Sequence, residues 1–162
     1  KKMREYGMQL RAKQTAKRYY GVQEGQFAHY YELAAKKSGV TGENLLSLLE
    51  RRLDNVVYRM GMAESRRDAR QLVLHGHFRL NGKKVTVPSI SVKVGDVISL
   101  REESKASPKF KELIEKMQAT KVTPKWLECN SENITAKVVA IPEKSDIDYE
   151  FEEQLIVELY SK

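Results

Sequence analysis

The stretch SRRDARQLVLHGHFRLNGKKV, residues 65–85, decides the fold of the middle of the chain. Ser65, followed three residues later by Asp68, is typical of a helix start. The apolar positions after it keep helical spacing: Ala69, Leu72 and Val73. Gly76 then provides a residue that can adopt the left-handed conformation at which helices end. The first half of the stretch therefore predicts one short amphipathic helix.

The second half of the stretch predicts a β-hairpin. Asn81-Gly82 favours positive φ at both positions of a two-residue turn, and the flanking segments 77–80 and 84–87 read as short strands. Lys83 and Lys84 stand beside the turn. Another short strand is predicted at 97–101, after the Val94-Gly95-Asp96 turn.

Helical patterns surround this unit. The apolar residues between Leu45 and Met60 keep helical spacing up to Gly61, so we expect one continuous core helix there. Residues 26–37 and 108–118 also read as helices. Residues 5–20 form a basic helix, and we expect Tyr6 and Leu10 on its packed side.

Charge is concentrated in two blocks. The 162-residue chain has 29 Lys and Arg against 22 Asp and Glu. Residues 1–20 hold seven basic side chains and one acidic, and residues 44–87 hold nine and four. Two basic blocks on a nearly neutral remainder are typical of contact surfaces for a polyanion.

Several other classes of protein are disfavoured. The single cysteine, Cys129, excludes an internal disulfide and a multi-cysteine zinc site, which favours a reducing cytoplasmic compartment. No apolar run approaches the roughly 20 residues that cross a bilayer, so no membrane association is expected. We find no glycine-rich phosphate loop and no serine nucleophile elbow, and we predict no cofactor.

The pair His75 and His77 is the first candidate for chemistry. A metal site would need further ligands with suitable spacing, and none is visible nearby, so no metal is predicted. General acid-base catalysis would need a positioned partner and a pocket. We therefore interpret the pair as the joint between the helix and the hairpin, with His77 positioned to touch a bound phosphate.

Asp54 is the second candidate. Arg51-Arg52-Leu53-Asp54 resembles the Gly-Arg-Leu-Asp motif that carries the catalytic aspartate of RNA pseudouridine synthases. Arg51 replaces the glycine, and the motif lies inside an apolar-striped helix. We expect Asp54 to be a helix-surface partner for an arginine. The targeting module of an rRNA-modifying enzyme, or an RNA-binding translational regulator, remains the alternative function.

The residues carry a resemblance to a known family. Arg66-Arg67-x-Ala69-Arg70, Gly76-His77 and Val94-Gly95-Asp96 resemble the RNA-binding domain named after ribosomal protein four of the small subunit. The flanking motifs are similar to those of the bacterial ribosomal protein four family over the whole chain: Glu5-Tyr6-Gly7, Leu53-Asp54-Asn55-Val56-Val57-Tyr58-Arg59-Met60-Gly61 and Leu155-Ile156-Val157-Glu158-Leu159. Family members begin with an extension of roughly 40 residues before the first matching position.

The resemblance implies an α+β fold in two parts. Residues 1–50 with 135–162 form a mostly helical, discontinuous subdomain. Residues 51–115 form the inserted RNA-binding domain, two helices packed on a small, mainly antiparallel sheet, and residues 116–134 form a connecting loop region.

The resemblance also implies a function and partners. It implies a structural constituent of the small subunit that binds 16S rRNA at a junction in the 5′ domain, nucleates assembly of the 30S body and influences translational accuracy. Its neighbour would be ribosomal protein five, and it would lie near the channel through which mRNA enters. Binding to the mRNA of its own operon, a monomeric free state and a place in the cytoplasm are implied as well.

We predict RNA contacts at the basic and polar positions of both blocks. They are Arg4, Tyr6, Arg11, Lys13, Lys17, Arg18, Arg51, Arg52, Arg59, Arg66, Arg67, Arg70, Gln71, His77, Lys83 and Lys84.

Overall fold

The computed structural model of the chain describes residues 2–119 and 123–161. It divides into two compact units, Lys1–Glu50 with Glu143–Lys162 (unit 1) and Arg51–Pro142 (unit 2). No helix in the described ranges combines the length and apolar character that a membrane span requires.

Unit 1 is helical. Its core is built from apolar side chains of the helices and of the segment that precedes the last helix, among them Phe27, Leu45, Leu49 and Ile156. The elements are α1 (Lys2–Tyr20), α2 (Glu24–Lys36), α3 (Thr41–Glu50), a 3₁₀ turn (Lys144–Asp146) and α8 (Glu153–Tyr160).

The packed face of α1 is largely polar. Its buried residues are Gln9, Lys13, Ala16 and Tyr20. The expectation that Tyr6 packs is wrong, because its ring is 50% exposed. A helix with so few apolar residues gives no clear stripe, so the side that packs depends on the partners that α2 and α8 supply.

Unit 2 contains an antiparallel sheet. Within the described residues its strand order is β2-β1-β3-β5-β4. The strands are β1 (Phe78–Leu80), β2 (Lys83–Val85), β3 (Val97–Leu100), β4 (Leu127–Asn130) and β5 (Thr135–Val138). Asn81 and Gly82 have φ of 52° and 83°, as the predicted turn requires.

Two helices close one face of this sheet. Residues of α4 (Leu53–Arg59) and α5 (Arg66–Leu74) share a hydrophobic core with Phe78, Ile98 and Val138. The remaining helices of unit 2 are α6 (Glu102–Lys105) and α7 (Pro108–Ala119). These elements confirm the α+β prediction of helices packed on an antiparallel sheet.

The expected continuous helix up to Met60 is wrong, because the chain leaves helical geometry at Arg51 and Arg52. Arg52 has φ −66° and ψ 142°, an extended conformation. The Val92 amide donates to the Arg51 carbonyl at 2.9 Å, and the Leu53 amide donates to the Ile90 carbonyl at 2.8 Å. These hydrogen bonds to residues 90–92 replace the helical ones. Arg52 therefore forms a short antiparallel β-bridge with Ser91.

Residues 116–134, predicted as a connecting loop region, include the end of α7 and strand β4. Residues 120–122 of this range lie outside the described residues. Strand β4 pairs along its length with β5, Leu127 opposite Val138 and Asn130 opposite Thr135. The strands β1 to β3, which are no longer, adjoin the Asn81-Gly82 and Val94-Gly95-Asp96 turns, whereas the link from β4 to β5 has its left-handed residue at Ile134, with φ 53°. A β-branched residue gives no turn signal in the sequence.

Candidate nucleic-acid interface

Helix α5 presents basic side chains because its other face is held in the core. The Ser65 hydroxyl accepts a hydrogen bond from the Asp68 amide at 3.1 Å and so caps the helix start. The buried face consists of Ala69, Leu72 and Val73. The opposite face exposes Arg67, Arg70 and Gln71. The local sequence thus fixes which side of α5 can meet a ligand.

Arg66 has a different environment from its two neighbours on α5. Its Nε donates to Asn55 Oδ1 at 2.8 Å, and its guanidinium carbon lies 4.4 Å from the ring centroid of Tyr58. Both partners belong to α4. The side chain therefore fastens α5 to α4 and is only partly turned to solvent.

The hairpin adds two lysines, which its pairing register places on opposite faces of the sheet. Lys83 lies opposite Leu80, and Lys84 lies opposite Arg79. Because side chains alternate along a strand, Lys84 and Arg79 share the face that is turned away from the Phe78 core. Both lysines are exposed. We call Arg67, Arg70, Gln71, Lys83 and Lys84 the α5–hairpin surface.

The cations of this surface have no carboxylate partners within the part of the chain that the structure describes. Arg67, Arg70, Lys83 and Lys84 make no ion pair there. Among the other lysines of unit 2, exposed Lys116 lies 2.5 Å from a Glu64 oxygen and half-buried Lys105 lies 2.9 Å from a Glu102 oxygen. Exposed Lys93, Lys109 and Lys111 make no ion pair within the described residues. The four cations of the α5–hairpin surface are therefore not neutralised by an ion pair within the described residues.

The two histidines sit at the joint between α5 and β1. Nε2 of His75 lies 3.1 Å from Nε2 of Gln71, and Nδ1 of His77 lies 2.8 Å from the Ser104 hydroxyl. The His77 ring also packs against Phe110 at 4.8 Å between centroids. In the described residues no group of three or more potential metal ligands includes either ring.

The environment of His77 favours its neutral form. Burial lowers the pKa of the His77 imidazole, and the nearby positive charges of Arg101 and Lys109 lower it further. A neutral ring can still accept or donate one hydrogen bond. At neutral pH we therefore expect His77 to contribute a hydrogen bond rather than a charge to any phosphate contact.

Two arginines near this joint are absent from the predicted set. Arg79 lies between Lys84 on β2 and Ser99 on β3, on the open face of the sheet. Arg101 follows β3, and its amide donates to the His77 carbonyl at 2.8 Å. Both also approach Glu103, at 4.0 Å and 3.2 Å, so they are partly compensated. Arg79 lies between the apolar residues Phe78 and Leu80. This alternation is the sequence signal that predicts an outward side chain at Arg79.

The arginines at the helix break do not join the α5–hairpin surface. Arg52 is 2% exposed and forms a double hydrogen bond with Asp54, at 3.1 Å and 2.9 Å. Its guanidinium is enclosed, so it cannot reach an external phosphate in this conformation, and we remove it from the predicted contacts. Arg51 and Arg59 are half-buried.

The Arg52 contact also corrects the expectation for Asp54. The residue does pair with an arginine, but it is 2% exposed rather than on the helix surface. A buried carboxylate held by two guanidinium hydrogen bonds is a structural ion pair. It is not positioned to attack a substrate.

The predicted RNA contacts on α1 of unit 1 fall into two groups, one exposed and one packed. Arg4, Arg11 and Arg18 are exposed and repeat every seven residues, opposite the buried stripe. We call them the α1 arginine stripe. Tyr6 is half-exposed and lies off this line.

Lys13 and Lys17 belong to the packed side of α1. Their ammonium groups lie 2.6 Å and 2.9 Å from the two carboxylate oxygens of Glu24, and their side chains are only 11% and 15% exposed. Lys13 also lies over the Tyr160 ring. The hydrogen bond from Lys13 holds the pKa of the Glu24 carboxyl below its ordinary value. Both lysines are thus compensated within the unit, and we remove them from the predicted contacts.

Part of each unit matches a described domain. Residues 51–98 match the model of the S4 domain, and residues 1–50 match the model of the ribosomal protein S4/S9 N-terminal domain. The chain is 62% identical over 162 residues to the small ribosomal subunit protein uS4 of Acetivibrio thermocellus and of Clostridioides difficile. It is 60% identical to that of Caldicellulosiruptor saccharolyticus. In each case the alignment covers 100% of this chain and 77% of the relative.

Proposed function

The chain belongs to the uS4 family of small ribosomal subunit proteins, and we propose that it binds rRNA through two basic surfaces, one on each compact unit. Membership confirms the predictions of a structural constituent of the small ribosomal subunit, in the bacterial cytoplasm, that is not an enzyme. The two surfaces are the α5–hairpin surface and the α1 arginine stripe.

The observation that carries the proposal is the uncompensated charge of the α5–hairpin surface. Its cations lack carboxylate partners in the described residues, while Lys105 and Lys116 of the same unit have them. An exposed cation without an internal partner can neutralise a phosphate without first breaking an ion pair. Arg67 and Arg70 in particular can bind phosphate oxygens in pairs through their planar guanidinium groups.

The proposed mechanism is recognition without chemistry. The major groove of A-form RNA is too narrow for a helix, so proteins bind folded RNA by its shape, its phosphates and its 2′-hydroxyl groups. Exposed arginines of α5 and exposed lysines of the hairpin can bind such a backbone without entering a groove. Neutralised phosphates release counterions, which supplies a large share of the binding free energy and makes it salt-dependent.

The other predicted contacts are assigned by their exposure. We propose that His77, Arg66, Arg59 and Arg51 lie at the margin of the α5–hairpin surface. Tyr6 lies on the side of α1 away from the arginine stripe, so we propose it as a separate contact. We propose further that unit 2 is the RNA-binding domain and that unit 1 is the helical subdomain.

Salt-dependent titration tests the unit 2 surface. The variant Arg67→Ala/Arg70→Ala should lower the slope of log affinity against log salt by roughly 0.7 to 0.9 for each lost contact. The ligand is a transcript of the 16S rRNA 5′ domain, and affinity is measured by filter binding of the full chain at several potassium concentrations.

The matched control is Lys105→Ala/Lys116→Ala, which removes the same charge from the same unit. Because those lysines are paired with carboxylates, the slope should stay near that of the unaltered chain. If both double variants lowered the salt slope by the same amount, binding would respond to net charge alone. That result would contradict the proposed surface.

The finer partners are proposals from the family resemblance. We propose that the rRNA site is the junction of helices in the 5′ domain and that binding there nucleates assembly of the 30S body. A hydroxyl-radical footprint of the complex should protect one contiguous junction. Protection scattered over the whole domain would contradict a junction site.

We propose ribosomal protein five as the protein neighbour, with an effect of the contact on translational accuracy, and a position near the channel through which mRNA enters. Cross-linking within assembled subunits should recover this pair.

We also propose that the chain binds the mRNA of its own operon. A translation reporter that carries this mRNA should be repressed by the chain, and Arg67→Ala/Arg70→Ala should relieve that repression if the same surface is used.

A further inference from the structure

Gly76 ends helix α5 in a Schellman motif. The His77 amide donates to the Leu72 carbonyl at 3.3 Å, and the Gly76 amide donates to the Val73 carbonyl at 2.9 Å. This motif requires a left-handed residue, and Gly76 has φ +76°. Glycine is the usual solution at such a position, but asparagine is tolerated as well. The helix end alone therefore does not demand a residue without a side chain.

The neighbouring strand adds a contact of its own, because the end of the Lys84 side chain occupies the space into which a side chain at position 76 would project. A methyl group built on Gly76 would come within 2.5 Å of Lys84 Cε and 3.3 Å of Lys84 Nζ, and within 3.7 Å of Thr86 Cγ2. The stem of Lys84 therefore lies directly against the Gly76 backbone. Gly82 and Gly95 also have positive φ, but a methyl group on either would meet nothing within 4 Å. Close approach of a lysine thus distinguishes Gly76 from these two.

We propose that Gly76 is a positioning residue for RNA binding: by lacking a side chain it seats Lys84 across the end of α5, where the ammonium group meets a phosphate. The inference rests on the proposed function of the α5–hairpin surface. It adds that the end of α5 and strand β2 act as one contact, joined at Gly76.

The physical reason is pre-organisation. A lysine side chain has four rotatable bonds, and fixing them on binding opposes affinity. A stem already packed against the backbone loses less freedom when the phosphate arrives. The carbonyl end of a helix carries partial negative charge, which also favours a cation at this point.

A double-mutant cycle tests the inference. Gly76→Asn keeps a residue that tolerates the left-handed conformation but adds a side chain where Lys84 lies. It should weaken binding of the 5′-domain transcript about three- to fivefold near 0.1 M salt and lower the salt slope by roughly 0.7. Lys84→Ala should do the same. The double variant should be no weaker than Lys84→Ala alone.

The control is Gly95→Asn, which makes the same replacement at a positive-φ glycine with open space around it. Its salt slope should equal that of the unaltered chain. A general effect of asparagine on folding would lower the slope of neither variant, because the slope counts phosphate contacts. Independent, additive losses from Gly76→Asn and Lys84→Ala would overturn the positioning role.

A direct measurement in the free, full-length chain separates this inference from the proposed function. Nuclear Overhauser effects between the Gly76 Hα and Lys84 Hε protons should be observed, and Gly95→Asn should preserve them. Their absence would overturn the positioning role even if Lys84→Ala weakens RNA binding. If they are present and Lys84→Ala leaves binding unchanged, the proposed RNA surface fails at Lys84, and the role of Gly76 fails with it.

Discussion

The two units use their cations in different ways. In unit 1, Lys13 and Lys17 of α1 turn inward to share the half-exposed carboxylate of Glu24. In unit 2, the inward cation is Arg52, which is fully enclosed with Asp54. Both units leave further arginines outward, on α1 in the first and on α5 in the second.

The difference lies in what holds each basic helix. Helix α5 has an apolar stripe, so its arginines have only one side on which to lie. Helix α1 packs through Gln9, Lys13, Ala16 and Tyr20, so part of its basic charge becomes internal. A basic helix in the sequence therefore overstates the charge offered to RNA whenever its buried face is polar.

The largest expected effect comes from breaking the enclosed pair of unit 2. Asp54→Asn removes the charge that balances Arg52, and breaking a buried pair in this way costs about 3 to 5 kcal/mol. Urea denaturation followed by fluorescence of Trp126, the only tryptophan of the chain and fully buried in unit 2, reports the free energy of unfolding of that unit.

The control for this experiment is Glu64→Gln, which breaks the exposed pair with Lys116 in the same unit. Its denaturation midpoint should stay unchanged. A loss below about 1 kcal/mol in Asp54→Asn would mean that the enclosed pair behaves like a surface pair, and the contrast between the units would disappear.

An intermediate effect is expected from the two sides of α1. Arg11→Met/Arg18→Met should lower the salt slope of rRNA binding by roughly 1.4 to 1.8, because two outward phosphate contacts are lost. Lys13→Met/Lys17→Met removes the same charge from the same helix and preserves the packed stems. Its slope should remain unchanged. Equal losses from both pairs would show that the inward lysines also meet RNA.

The smallest effect is expected from Glu24, whose side chain is 52% exposed. Its lowered pKa means that the pair stabilises unit 1 above the ordinary carboxyl pKa of 4.5, and that this stability is lost as pH falls through the folded-state pKa. Glu24→Gln should cost at most about 1 kcal/mol at pH 7 because of solvent screening.

Urea denaturation followed by circular dichroism at several pH values measures the Glu24 effect. The difference between the unaltered chain and Glu24→Gln should shrink as the pH is lowered. Glu32→Gln, on the same helix, is the control and should not change the unfolding free energy. A difference between the unaltered chain and Glu24→Gln that grows in acid would contradict the assigned direction.

Much of unit 2 could be predicted from local sequence. The Ser65 cap, the apolar stripe of α5, the stop at Gly76 and the Asn81-Gly82 turn each depend on a few neighbouring residues. Strands β4 and β5 were missed. They are about as short as β1 to β3 but have no comparable turn signal, because the left-handed residue of their link is the β-branched Ile134. The break at Arg52 was missed because it depends on hydrogen bonds with residues 90–92, far along the chain.

The sequence by itself determined the family, the α+β class and the outward face of α5, since apolar periodicity and turn residues act locally. Only the tertiary structure decided which cations remain available to RNA. Lys13 and Arg52 look like Arg11 and Arg67 in the sequence, but the fold places a carboxylate beside each of the first two. Glu24 comes from the next helix, and Asp54 meets Arg52 where hydrogen bonds with residues 90–92 hold the chain extended. The contact of Lys84 with Gly76 also arises only when the hairpin returns to the end of α5. Charge is a property of the residue, whereas its compensation and its position are properties of the fold.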